Sequence, residues 1–119
     1  MGYKEIAFDL ADLLTYFDEL LPTSDEERGI YWFKATRPDG VTVVLCFSAY
    51  ELTASIIVRS GSGAACAYVE LSQCTSIQLL SPEKSCVEII SGASTSPGTR
   101  CLICLAAETV LHITNSEQF

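Results

Sequence analysis

The stretch IYWFKATRPDGVTVVLCFSA, residues 30–49, decides how this chain folds. Arg37-Pro-Asp-Gly40 places proline where a turn presets φ and glycine where a turn demands positive φ. The apolar runs at 30–36 and 41–49 on either side read as strands, so the segment predicts an antiparallel hairpin. Within it, Ile30-Tyr-Trp-Phe33 and Val43-Val-Leu45 are apolar on both strand faces, as is Leu102-Ile103 later on. Such strands are expected to be central and covered on both sides.

Moving towards the C-terminus, the period stays at two. Leu52, Ala54, Ile56 and Val58 alternate with Thr53, Ser55 and Arg59, and only Ile57 falls out of step. Gly61-Ser-Gly63 marks the next turn, and residues 65–72 alternate again. Further strands are expected at 75–80, 85–90, 100–106 and 109–114. The turn Ser81-Pro-Glu-Lys84 and a Ser-, Gly- and Thr-rich loop at 91–99 separate them; that loop is the expected mobile segment. The connections are too short for parallel crossovers, so mainly antiparallel neighbours are expected.

Moving towards the N-terminus, the pattern changes to a helical one. Ile6, Leu10, Leu13, Leu14, Phe17, Leu20 and Leu21 recur at helical spacing. Asp9 is the expected N-cap and Asp12 suits the positive end of the dipole. Pro22 is expected to stop the helix near Leu21. Residues 3–8 read equally well as a short leading strand. Ser24 to Glu27 fits a capping box before a single turn closed by Gly29.

The expected fold is therefore α+β, mostly β, in one domain of 119 residues. Residues 1–29 form an acidic helix and turn, 30–114 about eight antiparallel strands, and 115–119 a tail. A helix of about 20 Å covers only two or three strands. The strands must therefore cover one another as a strongly bent or barrel-like sheet, or a second copy must cover them, making a homodimer the alternative.

Charge divides the chain at the same place. Residues 1–29 carry eight acids against Lys4 and Arg28, while the remainder carries seven acids against five bases. The formal net charge of −8 opposes contact with nucleic-acid phosphates and with anionic membrane surfaces. No run of about 18 apolar residues suggests a span, and no secretory leader pattern opens the sequence, so cytoplasmic residence is expected. The six cysteines are accordingly expected to be reduced thiols.

Motifs for chemistry are sparse. Cys101-Leu-Ile-Cys104 has the spacing of a redox or zinc motif, but in a strand that spacing sends the two sulfurs to opposite faces. His112 is the only histidine and lies in an alternating strand without a nucleophile elbow. The acid pairs lack a Ca²⁺ loop, and no glycine-rich stretch has the lysine of a phosphate loop. The aromatic residues Tyr31, Trp32, Phe33, Phe47, Tyr50 and Tyr68 read as core. No catalytic residue, metal site or cofactor is assigned.

What remains is surface charge. Asp9, Asp12, Tyr16 and Glu19 are expected on one acidic helix edge, next to the Asp25, Glu26, Glu27 turn. This predicts a small non-enzymatic protein-binding module for a basic protein partner. Inhibitors and immunity proteins of toxin systems use the same logic, an analogy of composition alone. The alternatives are a barrel holding a small hydrophobic ligand and a homo-oligomeric structural subunit.

Overall fold

The structure is a computed structural model that describes residues 5–80, 86–92, 98–105 and 111–115. The expected turn at 81–84, the centre of the 91–99 loop and the tail beyond Asn115 lie outside the described residues. A short helix α1 (Leu10–Tyr16) comes first, followed by a two-residue strand β1 (Glu19–Leu20) and a 3₁₀ turn (Glu26–Arg28). Eight strands follow: β2 (Ile30–Thr36), β3 (Thr42–Ser48), β4 (Thr53–Arg59), β5 (Ala65–Leu71), β6 (Cys74–Leu79), β7 (Cys86–Ser91), β8 (Thr99–Cys104) and β9 (Leu111–Asn115). The expected strands are all present, and β1 adds one. No helix among the described residues is long and apolar enough to cross a membrane.

All the strands pair antiparallel with their neighbours in sequence, in two sheets of order β1-β2-β3-β4-β5 and β6-β7-β8-β9. No closed barrel forms among the described residues. The break falls between β5 and β6, where Gln73 takes a left-handed conformation at φ 55°. Leu52, at φ 60°, faces the same corner. The amide of Cys74 donates to the Leu52 carbonyl at 2.8 Å, and that of Gly92 donates to the Gln73 carbonyl at 3.0 Å. These bonds satisfy the backbone where the ladder stops.

The hairpin at 30–49 closes as its residues require. Gly40 sits at φ 89° and donates to the Arg37 carbonyl, while Asp39 accepts from the Val41 amide at 3.0 Å. This last bond, with Arg37 beside it, holds the Asp39 carboxyl below its ordinary range. The inward row of β2 and β3 is Phe33, Ala35, Val43, Leu45 and Phe47, all buried. These residues join Ile56, Ile77, Val87, Ile89, Cys101 and Ile103 in a single core drawn from both sheets. Phe33 and Phe47 stack at 6.1 Å between centroids, with Phe17 on Phe33 and Phe8 edge-on to Phe47.

Only one face of the first sheet is covered by the described residues. The row Lys34, Val44, Ile57 and Tyr68 lies in register on the other face, and Tyr68 is 59% exposed. Among the described residues, the expectation that the doubly apolar strands are shielded twice does not hold.

The helix is shorter than its apolar stripe predicts. Asp9 caps it as expected, accepting from the Asp12 amide at 3.1 Å, but it ends at Tyr16 instead of near Leu21. The edge of β2 takes the chain from there. Asp18 donates to the Lys34 carbonyl at 2.9 Å, its carboxylate accepts from the Thr36 amide at 2.7 Å, and Leu21 donates to the Trp32 carbonyl. Pairing an open strand edge wins over another turn of helix. Of the stripe, Ile6, Leu13 and Phe17 are buried, whereas Leu14 is 45% exposed.

The N-terminal segment ties the two sheets together. Ile6 donates to the Ala49 carbonyl of the first sheet, and Ala7 donates to the Thr75 carbonyl of the second. Ala7 and Ser76 form a parallel bridge, in accord with the leading-strand reading.

Candidate functional site

The residues expected on one acidic helix edge are distributed over three places. Asp9 and Asp12 stay together, on the cap and first turn of α1, both exposed. Glu19 is not helical; it lies on β1 opposite Lys34. Tyr16 is committed inward. Its hydroxyl donates to the Ile103 carbonyl at 2.9 Å and accepts from the Leu105 amide at 3.0 Å, fastening α1 to the end of β8. Burial pushes its phenol up to about 12, despite the Leu105 amide, which acts to lower it.

The turn at 25–27 is also built differently from the expected capping box. Asp25, not Ser24, is the cap, accepting from the Arg28 amide at 3.3 Å and lying 3.6 Å from the Arg28 guanidinium. Ser24 instead accepts from the Trp32 amide at 2.9 Å. Gly29 ends the turn at φ 69°, and a Cβ there would meet the Tyr50 ring at 3.0 Å. The Tyr50 ring thus lies against the turn, 54% exposed, and Glu26 and Glu27 of that turn are exposed as well. Sequence reasoning placed Tyr50 and Tyr68 in the core. Both are exposed, because a tyrosine at a turn or on an outward row shows no local sign of which way it faces.

Glu5 and Glu26 converge on Tyr31. Its phenol is raised first by burial and then by the charges of Glu26, Tyr50 and Glu5. Phe8 meets Tyr31 edge-on at 5.1 Å and also lines a groove of about 390 Å³. Asp9, Asp12 and Leu13 form one wall of this groove, and residues 76–79 of β6 form the other. The acidic N-terminal segment therefore borders two features, a Tyr50 platform and a groove along the β6 edge. Neither Tyr50 nor the β6 edge was legible from composition.

The cysteines behave as strand geometry requires. Cys101 points into the core, while Cys104 faces the other way, its sulfur 2.6 Å from that of Cys86 across the β7–β8 pairing. Burial pushes the thiols of Cys74 and Cys101 up to about 11. Burial and the Cys86 hydrogen bond push Cys104 up to about 12. Such thiols are overwhelmingly protonated at neutral pH and make poor nucleophiles. Among the described residues no group of three or more His, Cys, Asp or Glu side chains could hold a metal ion. His112 is exposed on β9. Glu88 is buried on the outward side of β7, where it accepts from Gln78 at 2.9 Å and pairs with Arg100.

No protein-family model matches this chain, and no curated protein does. Among solved structures, a chain from the contact-dependent growth inhibition toxin–immunity protein complex of Klebsiella pneumoniae 342 shares its fold. The TM-score is 0.75 at 14% identity, covering 97% of this chain and 98% of that one.

Proposed function

We propose that this chain is a small, non-enzymatic protein-binding module of the immunity type, which holds a basic toxin partner against its acidic N-terminal segment. The observation that carries this reading is the end-to-end likeness in fold to a chain of a toxin–immunity complex. That complex contains both an attacker and a protector. The protector's role is favoured here by a net charge of −8. The exposed Tyr50 packs on the turn that carries Glu26 and Glu27, Glu5 acts on the neighbouring Tyr31, and Asp9 and Asp12 lie beyond Phe8, so an aromatic anchor has acidic charge close by. This composition speeds encounter with a positive surface and holds it once docked. In this reading the protein acts in the cytoplasm, where an incoming toxin would reach its target.

The test is co-expression with the protein encoded next to it, followed by purification of the pair and measurement of binding against salt. A one-to-one complex whose association slows steeply as salt rises is expected. Failure of the two proteins to associate would remove the immunity reading.

The half-open row of Val44, Ile57 and Tyr68 favours a second reading, a homodimer through the outer face of the first sheet. Mass measured by light scattering across a hundredfold range of concentration separates the two; a constant monomer mass ends the dimer reading.

A further inference from the structure

The β6 side of the groove beside α1 is unusual. Ala7 runs parallel to β6 for one bridge, donating to the Thr75 carbonyl and accepting from the Ile77 amide. A parallel ladder would continue with the Ile77 carbonyl and the Leu79 amide bonding to residue 9. It does not, because Asp9 turns away to cap α1, and its carbonyl accepts from the Leu13 amide instead. In a strand, alternate residues direct their backbone groups to the same side. Leu79 therefore presents its N–H and C=O to the groove, as Ile77 presents its C=O, while the Leu80 amide turns the other way to the Cys86 carbonyl. Among the described residues none of these three groove-facing groups has a hydrogen-bond partner. Asp12 and Asp9, whose carboxylate caps α1, line the same groove.

We infer that this groove receives an extended, basic segment of the partner, added as a strand on the free stretch of β6 with a Lys or Arg directed at Asp12. The inference rests on the protein-binding reading above and names where the partner seats. Main-chain bonds to Ile77 and Leu79 supply affinity without regard to sequence, and the two carboxylates select a positive side chain. The occupant is an extended peptide segment, because the free backbone groups lie along the β6 side of a groove lined also by Phe8 and Leu13, where one strand can bond to them. An acidic strand is rejected by the same carboxylates, which discriminates between partners.

The probe is a capped seven-residue peptide alternating valine and lysine, titrated into isotope-labelled protein and followed by amide NMR and hydrogen exchange. Saturable shifts confined to residues 7–13 and 76–79 are expected, with exchange of the Leu79 amide slowed about tenfold or more at saturation. Asp12→Lys should weaken binding about tenfold or more, equivalent to at least about 1.4 kcal/mol. The same peptide N-methylated at alternate residues should not bind, since it cannot complete the ladder. Shifts spread over every acidic residue with Leu79 exchange unchanged, or equal binding by the methylated peptide, would overturn the inference. The co-purified pair separates its failure from that of the parent reading. A complex that tolerates Asp12→Lys but is lost with Glu27→Lys removes the groove and keeps the protein-binding module. No wild-type complex at all removes the module, whatever the peptide does.

Discussion

Gln73 and Leu52 stand at one corner of the molecule, both in the left-handed region, and the Cys74 amide next to Gln73 bonds to the Leu52 carbonyl at 2.8 Å. Neither is a glycine, so each carries a steric cost that the surrounding bonds must offset. The first sheet ends and the second begins at this corner. Gln73→Gly should raise the stability of the fold by about 0.5–1 kcal/mol, whereas Gln73→Val should lower it by about 1–3 kcal/mol. Urea denaturation of the two variants checks this; equal midpoints would mean the corner is unstrained.

Tyr16 is expected to be a structural residue and not a partner contact. Tyr16→Phe strips the bond to the Ile103 carbonyl and leaves the Leu105 amide without an acceptor, at a cost of about 1–3 kcal/mol. Its pH behaviour follows from a phenol raised from 10 to about 12 in the folded state. The folded protein keeps that proton where the unfolded chain releases it. The stabilisation is therefore complete below about pH 10 and is lost as pH climbs towards 12. Urea midpoints measured from pH 9 to 12 should fall in the wild type and fall less in Tyr16→Phe.

Cys86 and Cys104 are placed to form a cross-strand disulfide. The Cys86 carbonyl accepts from Leu80, just past the end of β6, so Cys86 and Cys104 are a non-hydrogen-bonded pair across β7 and β8, with Cα atoms about 4.5 Å apart. That separation lies within disulfide range. Oxidised glutathione should convert the two thiols to one disulfide and leave as two reduced glutathiones. With the Cys104 thiol up at about 12, the reaction should be slow at neutral pH and quicken about tenfold per pH unit below that value, wherever Cys104 is the attacking thiol. Peptide mapping should recover a fragment linking residues 86 and 104, and exposed Cys66 should take up glutathione first. A mixed disulfide on Cys66 with no linked fragment would contradict the pairing.

Glu88 organises the outward face of the second sheet. Glu88→Ala removes the acceptor from Gln78 and the counter-charge from Arg100, and should cost about 1–3 kcal/mol. Thermal unfolding checks the loss. Glu88→Gln should recover part of it, because an amide oxygen still accepts from Arg100.

The sequence was most readable where the answer depended on neighbours a few residues apart. The alternation of residues 30–59 located three strands, and Arg37-Pro-Asp-Gly40 and Gly61-Ser-Gly63 located their turns to within a residue or two. Asp9 announced the helix start, and the three-residue spacing of Cys101 and Cys104 correctly separated their sulfurs. The candidate site was legible only in part. Asp9 and Asp12 could be grouped from their spacing, but Glu19 could not be detached from them, nor Tyr16 turned inward, without knowing what lay alongside.

Period and turn chemistry by themselves thus determined a mostly β chain with antiparallel neighbours and an acidic leading segment. Only the tertiary structure decided that α1 stops at Tyr16, that the strands divide into two sheets at Gln73, and that Ala7 leaves part of the β6 edge unpaired. The reason is competition for backbone partners. Whether the amide of Asp18 bonds within a helix or to the Lys34 carbonyl depends on an edge 16 residues away in the chain, and no local pattern records which of the two is nearer.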